Sequence, residues 1–223
     1  MLLVFDDVLG REEVRSVRAR LESLAFTDGA KTAGPGSRAR KKNLQLDDED
    51  PRTAGLRGLV RKALLRHQAF RFLALPQRVM TPMFNRYDVG MYDQDHVDFP
   101  LLGSPPPTRA DLSVTLFLSS PEEYDGGELV IRTGSGEQAV KLAAGAAVVY
   151  PAYDVHRVEP VRRGTRLAAI TTVQSAIREE PRRDLVVDLV RLARWVQDVA
   201  PESDEARLAN KIHANLIRLW AET

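Results

Sequence analysis

Cysteine is absent from this chain of 223 residues. That excludes a disulfide-stapled scaffold, a thiolate metal site and a cysteine nucleophile, and it fits a reducing compartment. An excess of one charge is missing too. Lys and Arg number 32 against 31 Asp and Glu, which leaves a formal charge of +1. Such a chain carries no electrostatic footprint for nucleic acid or an anionic membrane. Long apolar runs are lacking: the longest weakly polar stretch, Leu142 to Ala152, falls well short of the ~20 residues that span a bilayer. The opening MLLVFDDVLG has no basic segment and reaches Asp6 and Asp7 at once. It makes a poor signal peptide, so a cytoplasmic protein is expected. No glycine-rich phosphate loop, dinucleotide fingerprint or GxSxG elbow follows any predicted strand.

What is present is an ordinary soluble composition, 43% hydrophobic and 28% charged, in a mass of 24.9 kDa that suits one domain. Val14, Val17, Leu21 and Leu24 recur at helical spacing over 11–24. Residues 28–43, rich in Gly, Pro and charge, read as a loop. A second helical pattern runs over 53–73. From Pro76 to about Ser175 the runs shorten and fill with Val, Ile, Thr and Phe. Strands are predicted at 79–87, 92–98, 112–118, 128–131, 138–142, 146–150 and 166–174, a pattern of sandwich or barrel. After Pro181 two helical stripes follow, Leu185, Leu189, Leu192, Val196 and then Leu208, Ile212, Leu216, Leu219. Ser203 is the expected N-cap of the second. The order argues for a mainly β core flanked by helices, not for alternating βαβ units.

Four histidines are available for chemistry: His67, His96, His156 and His213. His96 and Asp98 form an H-x-D pair on a predicted strand, where residues two apart share a face. His156 follows the apolar strand 146–150. Two imidazoles and one carboxylate can form a facial triad with open positions, a nitrogen and oxygen set suited to Fe(II) or Mn(II). The competing reading makes His156 a hydrogen-bonded core residue. Arg166 follows the turn residues Pro160 and Gly164. A hairpin centred near Val161 would place it opposite His156 on the adjacent strand. Its guanidinium could then bind a carboxylate bidentately. A triad with such an arginine is what an Fe(II) enzyme needs for a dicarboxylate co-substrate.

The segments TAGPGS, KKNLQL, FNRYDVGMYDQDHVD, RADLSVTLFLSSPEEYDGGELVI, VKLAAGAAVVYPAYDVHRVEPV and RLAAITTVQS resemble the PKHD-type hydroxylases. These are bacterial Fe(II)/2-oxoglutarate dioxygenases of the prolyl/lysyl-hydroxylase kind. The resemblance implies a double-stranded β-helix (jelly-roll) core over 78–178, with an N-terminal helical region over 1–77 and a C-terminal helical region over 179–223. It implies Fe(II) held by His96, Asp98 and His156, with 2-oxoglutarate fixed by Arg166 and attended by Tyr87. Dioxygen and an unidentified substrate complete the reaction, with ascorbate as an iron reductant. Ala168 stands where the family often has Ser, and the Pro-rich 99–108 departs from the family. Arg109 and Asn43 are candidate substrate contacts. Asn43 and Gln45, after the basic run 38–42, are weighed as a lid against a plain surface loop. Gly126 and Gly127 are expected to serve a turn. Trp195 and Trp220 are expected to bury against the core or a second subunit. The C-terminal stripes can form a homo-oligomer interface or pack on the barrel. The rival class is a non-enzymatic cupin-like module that binds a metal or ligand.

Overall fold

The computed structural model describes residues 1–32, 40–46 and 50–222. The first third of the chain holds β1 (Leu3–Phe5), α1 (Arg11–Glu22), β2 (Phe26–Asp28), β3 (Lys41–Lys42), β4 (Leu44–Leu46), α2 (Thr53–Arg66), α3 (Gln68–Ala74) and β5 (Pro76–Val79). Then come β6 (Met83–Tyr87), β7 (Tyr92–His96), β8 (Leu101–Leu102), β9 (Thr108–Arg109), β10 (Leu112–Phe117), β11 (Tyr124–Gly126), β12 (Leu129–Thr133) and β13 (Gly136–Val140). The chain closes with β14 (Ala147–Pro151), β15 (His156–Val158), β16 (Val161–Gly164), β17 (Arg166–Ser175), α4 (Glu180–Val199) and α5 (Asp204–Trp220).

Two antiparallel sheets form the core. The larger is ordered β1-β14-β10-β17-β6-β4-β2, with β5 also on β17, and the smaller β13-β12-β15-β7-β3. Strand periodicity sorts the larger sheet's side chains into two layers. Leu112, Val114 and Leu116 of β10 pack beneath the helices with Val17 and Leu21 of α1 and Leu56, Val60 and Leu64 of α2. Phe117, Val148 and Tyr150 point the other way and meet Leu129, Ile131 and Val158 of the smaller sheet. All six residues of β10 are therefore buried, as expected of a strand covered on both faces.

The structure corrects several expectations. The N-terminal third is not only helical: β1, β2, β4 and β5 join the larger sheet and β3 the smaller one. Lys41 and Lys42, assigned to a loop, pair with Asp93 and Tyr92. The segment TAGPGS, apart from Thr32, and the start of the basic run lie outside the described residues. The helix over 53–73 breaks at His67, whose Nδ1 accepts from the Phe70 backbone N–H at 3.2 Å and caps α3. Ser203 caps α5 as expected, accepting from Ala206 N–H at 3.1 Å.

The hairpin centred near Val161 does not form. β15 pairs with β12 and β7, and β17 pairs with β10 and β6. Between them β16 pairs with β11 and carries the chain from one sheet to the other. His156 and Arg166 therefore lie on opposite leaves of the sandwich. The stripe Leu185, Leu192, Leu208, Ile212 and Leu219 faces outward, as does Trp195, while Val186, Val187, Ala206 and Ala209 are buried. No helix among the described residues is long and apolar enough to cross a membrane.

Candidate functional site

The strand registers build the site. His156 stands directly opposite His96 across β15 and β7, and cross-strand partners share a face. Their rings lie 4.2 Å apart between centroids, tilted by 53°. β7 ends at His96. Asp98 lies just beyond, held by a bond from its backbone N–H to the Ala152 carbonyl at 3.2 Å. His96 Nδ1 is 2.7 Å from the Gln94 carbonyl oxygen, and His156 Nδ1 is 3.0 Å from that of Asp154. Each ring therefore turns its Nε2 inward. His156 Nε2 is 4.0 Å from Asp98 Oδ1. The other carboxylate oxygen of Asp98 accepts a short hydrogen bond from the Ser113 hydroxyl. One ligand atom from each of the three residues falls within 4.8 Å of the others. Burial holds the His156 imidazole below its ordinary pKa, which favours the neutral ring that a metal requires.

The larger sheet supplies the facing wall. Arg166 opens β17 directly opposite Tyr87 of β6. It is 2% exposed, and its Nε is buried without a hydrogen-bond partner. Its Cζ lies 5.1 Å from the Tyr87 ring centre and 5.5 Å from that of Phe117. Tyr124 is also buried beside it. A Cβ on Gly127 would reach 3.2 Å from Arg166 Cδ and 3.1 Å from Tyr124 Cε2. Gly127 thus serves a close approach as well as the expected turn. The Tyr87 hydroxyl lies beside the Asn43 and Asn85 amides, and burial pushes it well above the ordinary tyrosine range. Tyr150 completes the wall, its ring centre 5.1 Å from that of His156.

The triad, Arg166 and Tyr87 thus converge on one space between the sheets. One other expectation does not hold. Asn43 and Gln45 are buried, not a surface loop or lid. Asn43 sits between β3 in the smaller sheet and β4 in the larger one. Arg109 is engaged elsewhere, bonded to Asp111 at 2.7 Å and 3.0 Å and to Glu222 at 3.0 Å. It ties the C-terminus to the sheet. Ala168 pairs across the sheet with Asn85, so that amide stands where the absent serine would have offered a hydroxyl.

Sequence reasoning missed Ser113, Thr115, Tyr150, Asp93 and Lys41. Ser113 and Thr115 had a signal: they are the polar alternates of the apolar run LSVTLF. Thr115 forms a side-chain hydrogen bond with Tyr150.

Val97, Phe99, Leu101 and Tyr153 are exposed. Val97 and Phe99 flank Asp98 in the chain, and Tyr153 follows Ala152, which bonds its backbone. They make an apolar rim beside the triad.

Comparison with known proteins identifies the relatives of this chain. Residues 82–173 match the model of the 2OG-Fe(II) oxygenase superfamily. A PKHD-type hydroxylase of Acaryochloris marina is 41% identical over 222 residues, covering the whole of both chains. A prolyl-4-hydroxylase structure from Pseudomonas putida aligns with a TM-score of 0.55 at 20% identity, over 78% of this chain and 92% of that one. HygX from Streptomyces hygroscopicus, solved with nickel and 2-oxoglutarate bound, aligns with a TM-score of 0.53 at 17% identity, over 78% and 82%. These two structures bear on the fold alone.

Proposed function

Because the chain belongs to the PKHD-type hydroxylases of the 2OG-Fe(II) oxygenase superfamily, and so is a 2-oxoglutarate-dependent dioxygenase, we propose that His96, Asp98 and His156 hold its iron and Arg166 its co-substrate. The donor set fits the metal: two neutral imidazoles and one carboxylate suit Fe(II) and leave positions open. The orphaned Nε of Arg166 fits the co-substrate, since a buried guanidinium nitrogen without a partner is costly unless a ligand completes it. That nitrogen is the observation that favours an oxygenase over a cupin-like binding module, which needs no buried arginine opposite its metal.

The residues divide the work. The Gln94 and Asp154 carbonyls orient the two imidazoles. Ser113 occupies one oxygen of Asp98 and leaves the other for the metal. Arg166 binds the far carboxylate of 2-oxoglutarate in a wall closed to water by Tyr87, Phe117 and Tyr124. When bound, the iron supplies the redox chemistry that couples the conversion of 2-oxoglutarate and dioxygen to succinate and CO2 with hydroxylation of an unactivated C–H. The exposed Val97, Phe99, Leu101 and Tyr153 offer an apolar seat for a peptidyl or small-molecule substrate. To this reading we add ascorbate as the reductant of idle iron, the cytoplasm as the place of work, and pairing of copies through the outward stripe of α4 and α5.

The test is succinate formation. Apo protein is mixed anaerobically with Fe(II) and 2-oxoglutarate, and oxygen is then admitted. Succinate above the metal-only background is expected, and its loss in His156→Ala. No succinate, together with no Fe(II)–2-oxoglutarate absorption band in the anaerobic sample, would overturn the assignment.

A further inference from the structure

The chain between β14 and β15 makes a tight turn, and two contacts that orient the triad leave from it. Asp154 N–H donates to the Pro151 carbonyl at 3.0 Å, which closes Pro151 to Asp154 as a four-residue turn. The Ala152 carbonyl accepts from the Asp98 N–H at 3.2 Å. The Asp154 carbonyl oxygen lies 3.0 Å from His156 Nδ1. One turn thus sets the place of one candidate ligand and the ring orientation of another. Tyr153 stands between those two carbonyls, at the tip. It is 52% exposed, so packing alone does not fix it. Its hydroxyl donates to Glu180 Oε2. Glu180 opens α4, and the approach to that helix is tied down, because the buried Arg183 guanidinium donates to the Ile177 and Arg178 carbonyls at 2.8 Å and 2.6 Å. The other oxygen of Glu180 is 3.1 Å from the Met1 amino group. A C-terminal helix thereby holds the tip of the turn that serves two ligands.

We propose that Glu180, through Tyr153, is a positioning residue for the metal site: their hydrogen bond pins the turn, and the pinned turn keeps Asp98 and the His156 ring where they converge. The inference rests on the assignment of His96, Asp98 and His156 as metal ligands given above. Without the bond, the turn keeps its backbone contacts, including Ala152 N–H to the Asp111 carbonyl at 3.1 Å, but its tip is loose. The two carbonyls then sample more positions, and the ligands are less preorganised for a metal. A merely structural surface bond would add a little stability and leave metal binding as it was.

The experiment is anaerobic titration of Co(II) into the apo protein, read by calorimetry and by the visible Co(II) bands, which report ligand geometry. Thermal unfolding of each apo protein is measured beside it. Tyr153→Phe keeps the ring and removes only the hydroxyl. Loss of a group bonded directly to a ligand costs about 10–100-fold in metal affinity. This bond acts one link further out, so a weakening of about fivefold is expected, with shifted bands and an unfolding midpoint within about 3 °C of wild type. Glu180→Ala should weaken Co(II) by the same factor to within about twofold. The double variant should be no weaker than either single one, the signature of one shared bond. Glu180→Ala also loses the Met1 contact, so it should lose more stability than Tyr153→Phe without losing more affinity. Affinity within about twofold of wild type in Tyr153→Phe, with unchanged bands, would overturn the proposal. Losses that multiply in the double variant would overturn it too. Wild type that fails to bind Co(II), or binding that His156→Ala leaves intact, would instead defeat the metal assignment.

Discussion

Arg166 is the residue on which the co-substrate assignment turns. Its guanidinium is walled by Tyr87 and Phe117 at cation–π range, and its Nε is buried without an acceptor. Replacing it by Ala removes the counter-charge of a carboxylate that would then be buried alone. Such a loss costs ~3–5 kcal/mol, so 2-oxoglutarate affinity should fall by at least about two decades. Anaerobic titration checks this, and unchanged affinity would remove Arg166 from the site. The candidate triad could be read from the sequence because H-x-D lies on a predicted strand and a histidine follows a second one, whereas Arg166 was reached through a hairpin that does not form. Ser113 carries no spacing of its own. Its role appears only when β10 lies beneath Asp98, and no local pattern encodes that meeting. The facing of Asp93 and Lys41 was hidden for the same reason, since residues far apart in the chain meet there across strands.

At the level of elements, the β11–β12 turn is where the fold and the site are joined. Gly126 has a φ of +71°, and a Cβ there would clash with the Pro160 carbonyl oxygen. That oxygen is backbone, so it cannot swing aside. Gly126→Ala meets both a left-handed conformation and a main-chain clash. A loss of about 2–3 kcal/mol in urea unfolding is expected, with weaker 2-oxoglutarate binding because Tyr124 and Gly127 adjoin Arg166. A loss under about 0.5 kcal/mol would show that the turn can be rebuilt without glycine. Most elements were legible from period: α1 from Val14, Val17 and Leu21, and β10 from its apolar run. The pairing of strands was not. Residues 156–166 looked like a hairpin because nothing in them reveals that β16 leaves for β11. Alternation fixes which face a side chain takes and not which strand lies beside it. Arg166 still points inward, so the face was read correctly even though the neighbour was not.

Across the whole molecule, the ends of the chain are drawn into the sandwich. β1 edges the larger sheet. The tail returns so that Glu222 N–H donates to the Ala176 carbonyl at 2.8 Å. Arg183, 1% exposed, donates to the Ile177 carbonyl at 2.8 Å. Arg109 links this region to Asp111, itself buried. Arg109→Ala leaves that carboxylate with the Ser175 N–H at 2.9 Å as its remaining strong bond. The protein should lose about 2 kcal/mol of stability in denaturant unfolding. Its 2-oxoglutarate affinity should remain within about twofold of wild type. A large change in affinity with unaltered stability would return Arg109 to the site. The composition break near Pro76 correctly marked where strands dominate. It could not show that four short strands before it, β1 to β4, complete the two sheets, because strands of two or three residues carry too little period to register.

The division of the site between the two leaves has a mechanical meaning. The imidazoles belong to the smaller sheet and the guanidinium to the larger, and leaves of this kind stack about 10 Å apart. A ligand gripped at both ends acts as a cross-brace, resisting any sliding or splaying of one leaf over the other. Each turnover, by shortening the five-carbon brace to four-carbon succinate, would release that hold.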